Sequence, residues 1–239
     1  MDYVYESDST AFSRGVIGAE EFPPGFQSLP SRSRPRMFHV SGELALFWKD
    51  SVMVCGARDA SEAALEYAYR CGRLIADAGL VVASGYARGV DMAAHRGALE
   101  AGGETVAFLP FGLSRFRLHR DLTEAFDPRR FLAVTEEEDF IPFSTRAALK
   151  RNKLLAAHAA AVIVVEPGES GGTWYSAEKA AELNRPLYFL EGERPETVGS
   201  LESLGGKRIV VKNDAPDLDR VFATLANREI QADSRLLTG

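Results

Sequence analysis

A chain of 239 residues suits one large domain or two small ones, and 46% hydrophobic residues suffice for a substantial core. A formal charge of −6, from 28 Lys+Arg against 34 Asp+Glu, argues against indiscriminate coating of nucleic acid while leaving room for a local basic site. No apolar run approaches the roughly 18 residues of a membrane span, and the start "MDYVYESDST" lacks a signal-peptide core, so a soluble, cytoplasmic protein with no membrane partner is expected.

Residues 1–36, rich in Ser, Pro, Gly and acids, show no sustained period and read as an extended, partly disordered lead-in. From Met37 short apolar runs alternate with helical stretches. "SVMVCG" (51–56) predicts a strand, and the helix after it takes Ser61 as N-cap and Gly79 as its stop. "LVVAS", then "DMAAHRGALEAGG", repeat the strand–helix unit, with Asp91 as the expected N-cap of the second helix. "TVAFLP" and "RFLAV" continue as strands, "TRAALKRNKLLAAHA" as a helix, "AVIVVE" as a strand and "TWYSAEKAAELN" as a helix. "PLYFLEG" and "KRIVVK" add two strands, and "LDRVFATLAN" closes as a helix. The pattern predicts an α/β domain over 37–227: a doubly wound, mostly parallel, Rossmann-like sheet with helices on both faces, followed by a frayed tail, 228–239.

Ligands of such sheets sit beyond the carboxyl ends of the strands, which selects four loops. In "GARDAS", Gly56 lets backbone N–H groups approach an anion and Arg58 adds a bidentate charge, unless it pairs with Asp59 or Asp91. In "SGYARGVDMAAH", which begins with Ser84, Gly85 and Gly89 permit close approach and Arg88 can reach over the sheet edge, while His95 reads as a hydrogen-bonded structural residue. "PFGLSRFRLHRDL" interleaves Arg115, Arg117 and Arg120 with Phe116 and His119, which suits single-stranded nucleic acid or simply a solvated loop. "EPGESGGTWYSAEKA" sets Gly171, Gly172 and Thr173 at a helix start, an anion seat with a hydroxyl donor.

On the helix between the last two loops, Arg146, Lys150 and Lys153 share one face. Arg151 instead falls on the apolar side, where it needs an anionic ligand or a carboxylate such as Glu166. Cys55 and Cys71 read as buried thiols, no metal-ligand spacing occurs, and no cofactor is expected.

"SGYARGVDMAAHRGALEAGGETVAFLPFGL" resembles the central motif of the DNA-processing protein A (DprA/Smf) family, Ser-Gly-x-Ala-Arg-Gly-Ile-Asp followed by Ala-His and Gly-Ala-Leu. "VCGAR", "KRNKLLAAH" and "EPGESGGTWYSAEKA" resemble further family segments in register, over approximately residues 22–212. The resemblance implies a Rossmann-like core that binds single-stranded DNA, loads the RecA-type recombinase in natural transformation, and acts as a homodimer. The implied DNA pocket comprises Arg58, Ser84, Gly85, Arg88, Gly89, Arg151, Asn152, Lys153, Gly172 and Thr173. Departures are Ala57 and Gly171 where the family has Ser, Ser170 where it often has a basic residue, and Ala148-Leu149 in place of an aromatic-Pro pair.

Three functions therefore stand at this point. The leading one is a non-catalytic single-stranded DNA mediator, and the alternative is a sensor of a nucleotide or nucleotide-derived signal. The third is a nucleoside-monophosphate phosphoribohydrolase, disfavoured because no carboxylate closely follows Thr173 and Glu178 is more than a helical turn away.

Overall fold

The computed structural model describes residues 13–167, 171–190 and 197–236, with side chains described as far as Asn227. Strands β1 (Arg14–Gly18) and β2 (Met37–Gly42) form an antiparallel hairpin-like pair ahead of the α/β repeat. Then come β3 (Ser51–Gly56), α1 (Glu62–Asp77), β4 (Val81–Ser84), α2 (Val90–Glu100), β5 (Thr105–Phe108) and β6 (Phe131–Thr135). The second half runs α3 (Thr145–His158), β7 (Ala161–Val165), α4 (Gly172–Glu182) and β8 (Leu187–Leu190). It closes with α5 (Val198–Ser203), β9 (Lys207–Arg208), β10 (Val211–Lys212), β11 (Ala215–Pro216) and α6 (Asp219–Leu236).

The main sheet has nine strands in the order β1-β2-β6-β5-β4-β3-β7-β8-β9, parallel from β6 to β9 and antiparallel where β2 joins β1 and β6. The doubly wound α/β architecture expected from the apolar runs is present. Alternate residues along each strand feed opposite faces. Val52 and Val54 of β3 pack with Ala64, Ala68 and Ile75 of α1, while Met53 and Cys55 pack on the other side with Leu154 and Leu155 of α3.

Three expectations are corrected. The run "KRIVVK" splits into β9 and β10, and β10 leaves the main sheet to pair with β11. Helix α6 continues to Leu236, past the expected boundary at Asn227, while residues 237–239 lie outside the described residues. The largest correction is the lead-in. Between residues 13 and 36 the chain forms an edge strand and three 3-10 turns, and it buries Ile17, Phe26 and Leu29 in the core.

Phe26 lies 5.4 Å from Phe38 and stacks at 6.0 Å on Phe47. Arg34 clamps the turns by donating to the carbonyls of Leu29 and Gln27, and the Trp48 indole donates to Glu21 O. No period marks this segment because isolated apolar anchors separated by Pro-directed turns replace any repeating face. Residues 1–12 lie outside the described residues.

Two histidines are buried neutral. His158 Nε2 donates to Phe47 O at 3.0 Å, so Nδ1 accepts from the Ser51 hydroxyl at 3.0 Å. The Thr105 hydroxyl gives its proton to Val82 O, so His95 Nδ1–H donates to Thr105 Oγ1 at 2.6 Å, as expected of a structural histidine. Burial pulls His158 down to about 4 and His95 down to about 3.

Both folded values lie below that of a free imidazole, so the unfolded chain binds more protons in the intervening window and stability falls as pH falls. Lowering the pH from about 7.5 to about 5.5 is expected to cost roughly 3 kcal/mol in urea unfolding, about half of it from each histidine. A pH-independent midpoint over that range would contradict the buried neutral imidazoles.

Candidate anion and nucleic-acid site

Chain order reverses at β3, which has β4 on one side and β7 on the other. The carboxyl ends of two adjacent parallel strands whose connections leave in opposite directions open a crevice between the loops that follow them. A pocket of about 450 Å³ occupies that crevice. Of the residues expected at a site, Gly56, Arg58, Gly85, Arg151, Asn152, Gly172 and Thr173 all line it.

The closeness of the loops explains the small residues. A Cβ on Gly56 would overlap the Val165 carbonyl, and one on Gly85 would overlap Nη1 of Arg151. Gly89, at φ +81°, abuts the Ala57 and Arg58 carbonyls, and Val90 N–H donates to Ala57 O at 3.2 Å. That contact ties the second loop to the first.

Arg151 is the electrostatic centre. Only 6% exposed, it donates from Nη1 to Phe108 O at 3.2 Å, while the buried Nε has no hydrogen-bond partner among the described residues. Burial lowers its pKa to about 10, opposed by Asp91 and assisted by the nearby charge of Arg58, so it stays cationic at neutral pH. Its carboxylate neighbour is Asp91, not Glu166. Glu166 is fully engaged elsewhere, accepting from Ser61 N at 2.8 Å and Ser61 Oγ at 2.7 Å, which ties the start of α1 to the end of β7.

Asp91 is not the N-cap of α2 either. Gly89 takes that position because its positive φ starts the helix, and Asp91 sits one residue inside it. From there its carboxylate folds back to accept from Ala87 N at 3.3 Å. Burial pushes the Asp91 carboxyl up, against the pull of Arg151 and the Ala87 amide. The Cys55 thiol on the pocket wall is likewise pushed up by burial, which disfavours the thiolate.

The other expected residues divide by geometry. Thr173 does not offer its proton to a ligand, since its hydroxyl donates to Gly56 O at 2.8 Å. Asn152 Nδ2 and Ser176 Oγ both donate to Gly172 O, at 3.0 and 2.9 Å, which fixes the first turn of α4. The early N–H groups of that turn have no acceptor within the helix and carry the positive end of its dipole. Gly171, at φ +99°, begins the helix but does not line the pocket, and Gly168, Glu169 and Ser170 lie outside the described residues.

Ser84 is buried beneath the site, donating to Val54 O at 2.6 Å, and Lys153 lies outside the lining. Arg88 is 65% exposed and pairs with Asp59 at 2.8 Å on the rim. Lys150, on the α3 face it was expected to share with Arg146 and Lys153, pairs with Glu136.

The third loop keeps Arg115, Arg117 and Arg120 exposed while its Phe116 packs inward. Phe116 stacks at 5.8 Å on Phe131, Arg115 Nε donates to Phe140 O, and Arg117 donates to Ser114 O and Phe116 O. Glu178, the carboxylate weighed for ribose chemistry, accepts from the Trp174 indole at 3.0 Å and is absent from the pocket lining.

Reasoning from sequence missed Asp59 and Phe143 as pocket residues. Phe143 reaches the wall from the loop before α3, with the Arg58 guanidinium carbon 5.9 Å from its ring centre. Nothing in the local pattern around Phe143 signals that reach. Among the described residues no group of three or more His, Cys, Asp or Glu could hold a metal, and no helix is long and apolar enough to cross a membrane.

Comparison with known proteins gives consistent findings. Protein Smf of Escherichia coli (strain K12) is 31% identical over 180 residues, 73% of this chain and 46% of its own length. The chain spans about half the length of the curated relatives it matches. The solved structure of DNA processing protein A from Helicobacter pylori, described for its single-stranded DNA binding mode, superposes with a TM-score of 0.75. It is 23% identical and covers 91% of this chain and 97% of that one. That of Streptococcus pneumoniae gives 0.73 at 24% identity, covering 84% and 72%. The profile of DNA recombination-mediator protein A matches residues 15–224, and the chain belongs to that family.

Proposed function

We propose that the chain binds single-stranded DNA by its phosphates in the crevice between β3 and β7, as a non-catalytic recombination mediator. The observation that carries this is the cationic guanidinium of Arg151, nearly buried yet lining a pocket that Arg58 and the N-terminus of α4 also line. Cationic guanidinium groups converging on one pocket favour an anion with several acceptor oxygens. Family membership supports DNA as that anion. The same reading extends to loading of a RecA-type recombinase and to a homodimer, each of which needs its own binding measurement.

No acid–base step is assigned. Of the carboxylates on the wall, Asp91 is held by the Ala87 amide and Asp59 by Arg88. The pocket volume suits roughly one nucleotide, and this favours sensing of a free nucleotide as the second reading.

A salt titration with oligothymidine, duplex DNA and a mononucleotide separates the two. Strand binding is expected to weaken with log salt at a slope of about −0.7 per phosphate contacted. Arg58→Ala should weaken it about tenfold and flatten the slope by roughly 0.7, with a smaller effect for Arg88→Ala, whose charge Asp59 already offsets. A flat salt response for oligothymidine, or equal affinity for the mononucleotide, would sink the strand-binding reading.

A further inference from the structure

The segment Phe140-Ile141-Pro142-Phe143 leaves three large apolar side chains in water: Phe140 is 75% exposed, Phe143 51% and Ile141 39%. They lie next to one another in the chain, whereas singly scattered exposed apolar residues would need no explanation. The backbone beneath them is fixed. Phe140 O accepts from Arg115 Nε at 2.9 Å, Ile141 O accepts from Gly112 N at 3.0 Å, and Ile141 N donates to Glu138 O at 3.0 Å.

Just upstream, the Asp139 carboxylate accepts from Ser114 N at 2.9 Å and from its hydroxyl at 2.5 Å. Just downstream, Ser144 caps α3. A Cβ on Gly112 would overlap the Glu138 and Asp139 carbonyls, so the two loops are packed backbone to backbone. The rings are therefore displayed by a rigid frame.

We infer that Phe140 and Phe143 form a stacking subsite for the unpaired bases of a nucleic-acid strand whose phosphate occupies the adjoining pocket; this rests on the strand-binding reading above. Phe143 belongs to the pocket wall, and Phe140, three residues before it on the same exposed segment, lies outside that lining. Arg58 lies over the Phe143 ring and lines the pocket, placing a cation between the phosphate seat and the stacking face. Alternation of cation and aromatic ring suits a single strand, because every base offers a π-face.

Two of the acids beside the rings are offset by basic partners. Asp139 pairs with Arg14 and Glu136 with Lys150.

The test compares the wild-type protein with Phe140→Ala, Phe143→Ala and Phe143→Trp, using a twenty-residue oligothymidine and thymidine monophosphate as probes. Both alanine variants should keep the wild-type melting midpoint, since exposed rings contribute little packing. Each is expected to weaken oligothymidine binding about tenfold. Phe140→Ala should leave the monophosphate unaffected, and Phe143→Trp should bind the oligomer at least as tightly as wild type.

Unchanged oligothymidine affinity in both alanine variants, with the wild type binding normally, overturns the stacking subsite alone. So does loss of a wild-type dimer in those variants without loss of DNA binding, which would make the rings a contact between copies. Failure of the wild type to bind the oligomer overturns the strand-binding reading itself, and the two failures are thereby distinct.

Discussion

Arg151→Ala is expected to cost about 1–3 kcal/mol of folding stability and to abolish oligothymidine binding. The two effects have one origin. Arg151 is the cation that offsets the buried Asp91 carboxylate, and it is also the charge at the floor of the pocket. Removing it leaves the Phe108 carbonyl without its donor and the buried Asp91 carboxyl without the nearby positive charge that opposes its burial.

The pH dependence follows. Without Arg151 the Asp91 carboxyl rises further above its unfolded value. The penalty is then full above the folded pKa and shrinks as pH falls and the carboxyl protonates. Urea unfolding at two pH values measures both quantities. The double variant Arg151→Met with Asp91→Asn should regain most of the lost stability while remaining unable to bind. If Arg151→Ala unfolds like the wild type, the pair carries no structural role, and the electrostatic account of the pocket floor fails.

Phe26→Ala should cost a further 3–5 kcal/mol on its own, although it lies in the segment that composition marks as a disordered lead-in. Its ring is 2% exposed and meets Phe22 at 5.2 Å, Phe38 at 5.4 Å and Phe47 at 6.0 Å. Alanine leaves a cavity the size of a phenyl ring bounded by other rings and by His158, none of which is free to collapse into it. A shortened chain beginning at Met37 should fare worse. It would lose β1 as well, leaving β2 as an open sheet edge beside exposed Phe38 and Phe47. Denaturant unfolding and light scattering of the two proteins give the answer. An unfolding midpoint at Met37 equal to that of the whole chain would show that residues 13–36 merely decorate the domain.

Legibility in the sequence follows the range of the forces involved. The parallel strands and their helices were readable because each writes its own period: "AVIVV" is apolar throughout since both faces of β7 are covered, and Ser61 and Gly79 bracket α1 by local capping chemistry. The loops at the strand ends followed from topology, and seven of the expected site residues do meet at one pocket.

What stayed hidden depends on partners far away in the chain. Asp91 and Glu166 could equally have served Arg151. Only the positive φ of Gly89 and the position of Ser61 decide that Glu166 goes to α1 and Asp91 to the pocket. The Thr173 hydroxyl looked like a ligand donor, but Gly56 O lies within reach and takes it. Arg88, prominent in the motif, turned outward because Asp59 stands beside it on the rim. Phe143 carries no local mark, and its place on the wall is set by loops 110–115 and 138–141 gripping one another.

The hydrogen bond between Thr173 and Gly56 joins positions 117 residues apart. The two halves of the crevice are thus contributed by chain that is made early and chain that is made late. A nascent or truncated polypeptide ending before α4 already contains "VCGAR" and "SGYARG", yet it lacks the helix terminus that closes the opposite wall. The pocket therefore takes shape only once α4 has followed β7 into place, so its closure reports long-range folding and not the local motifs alone.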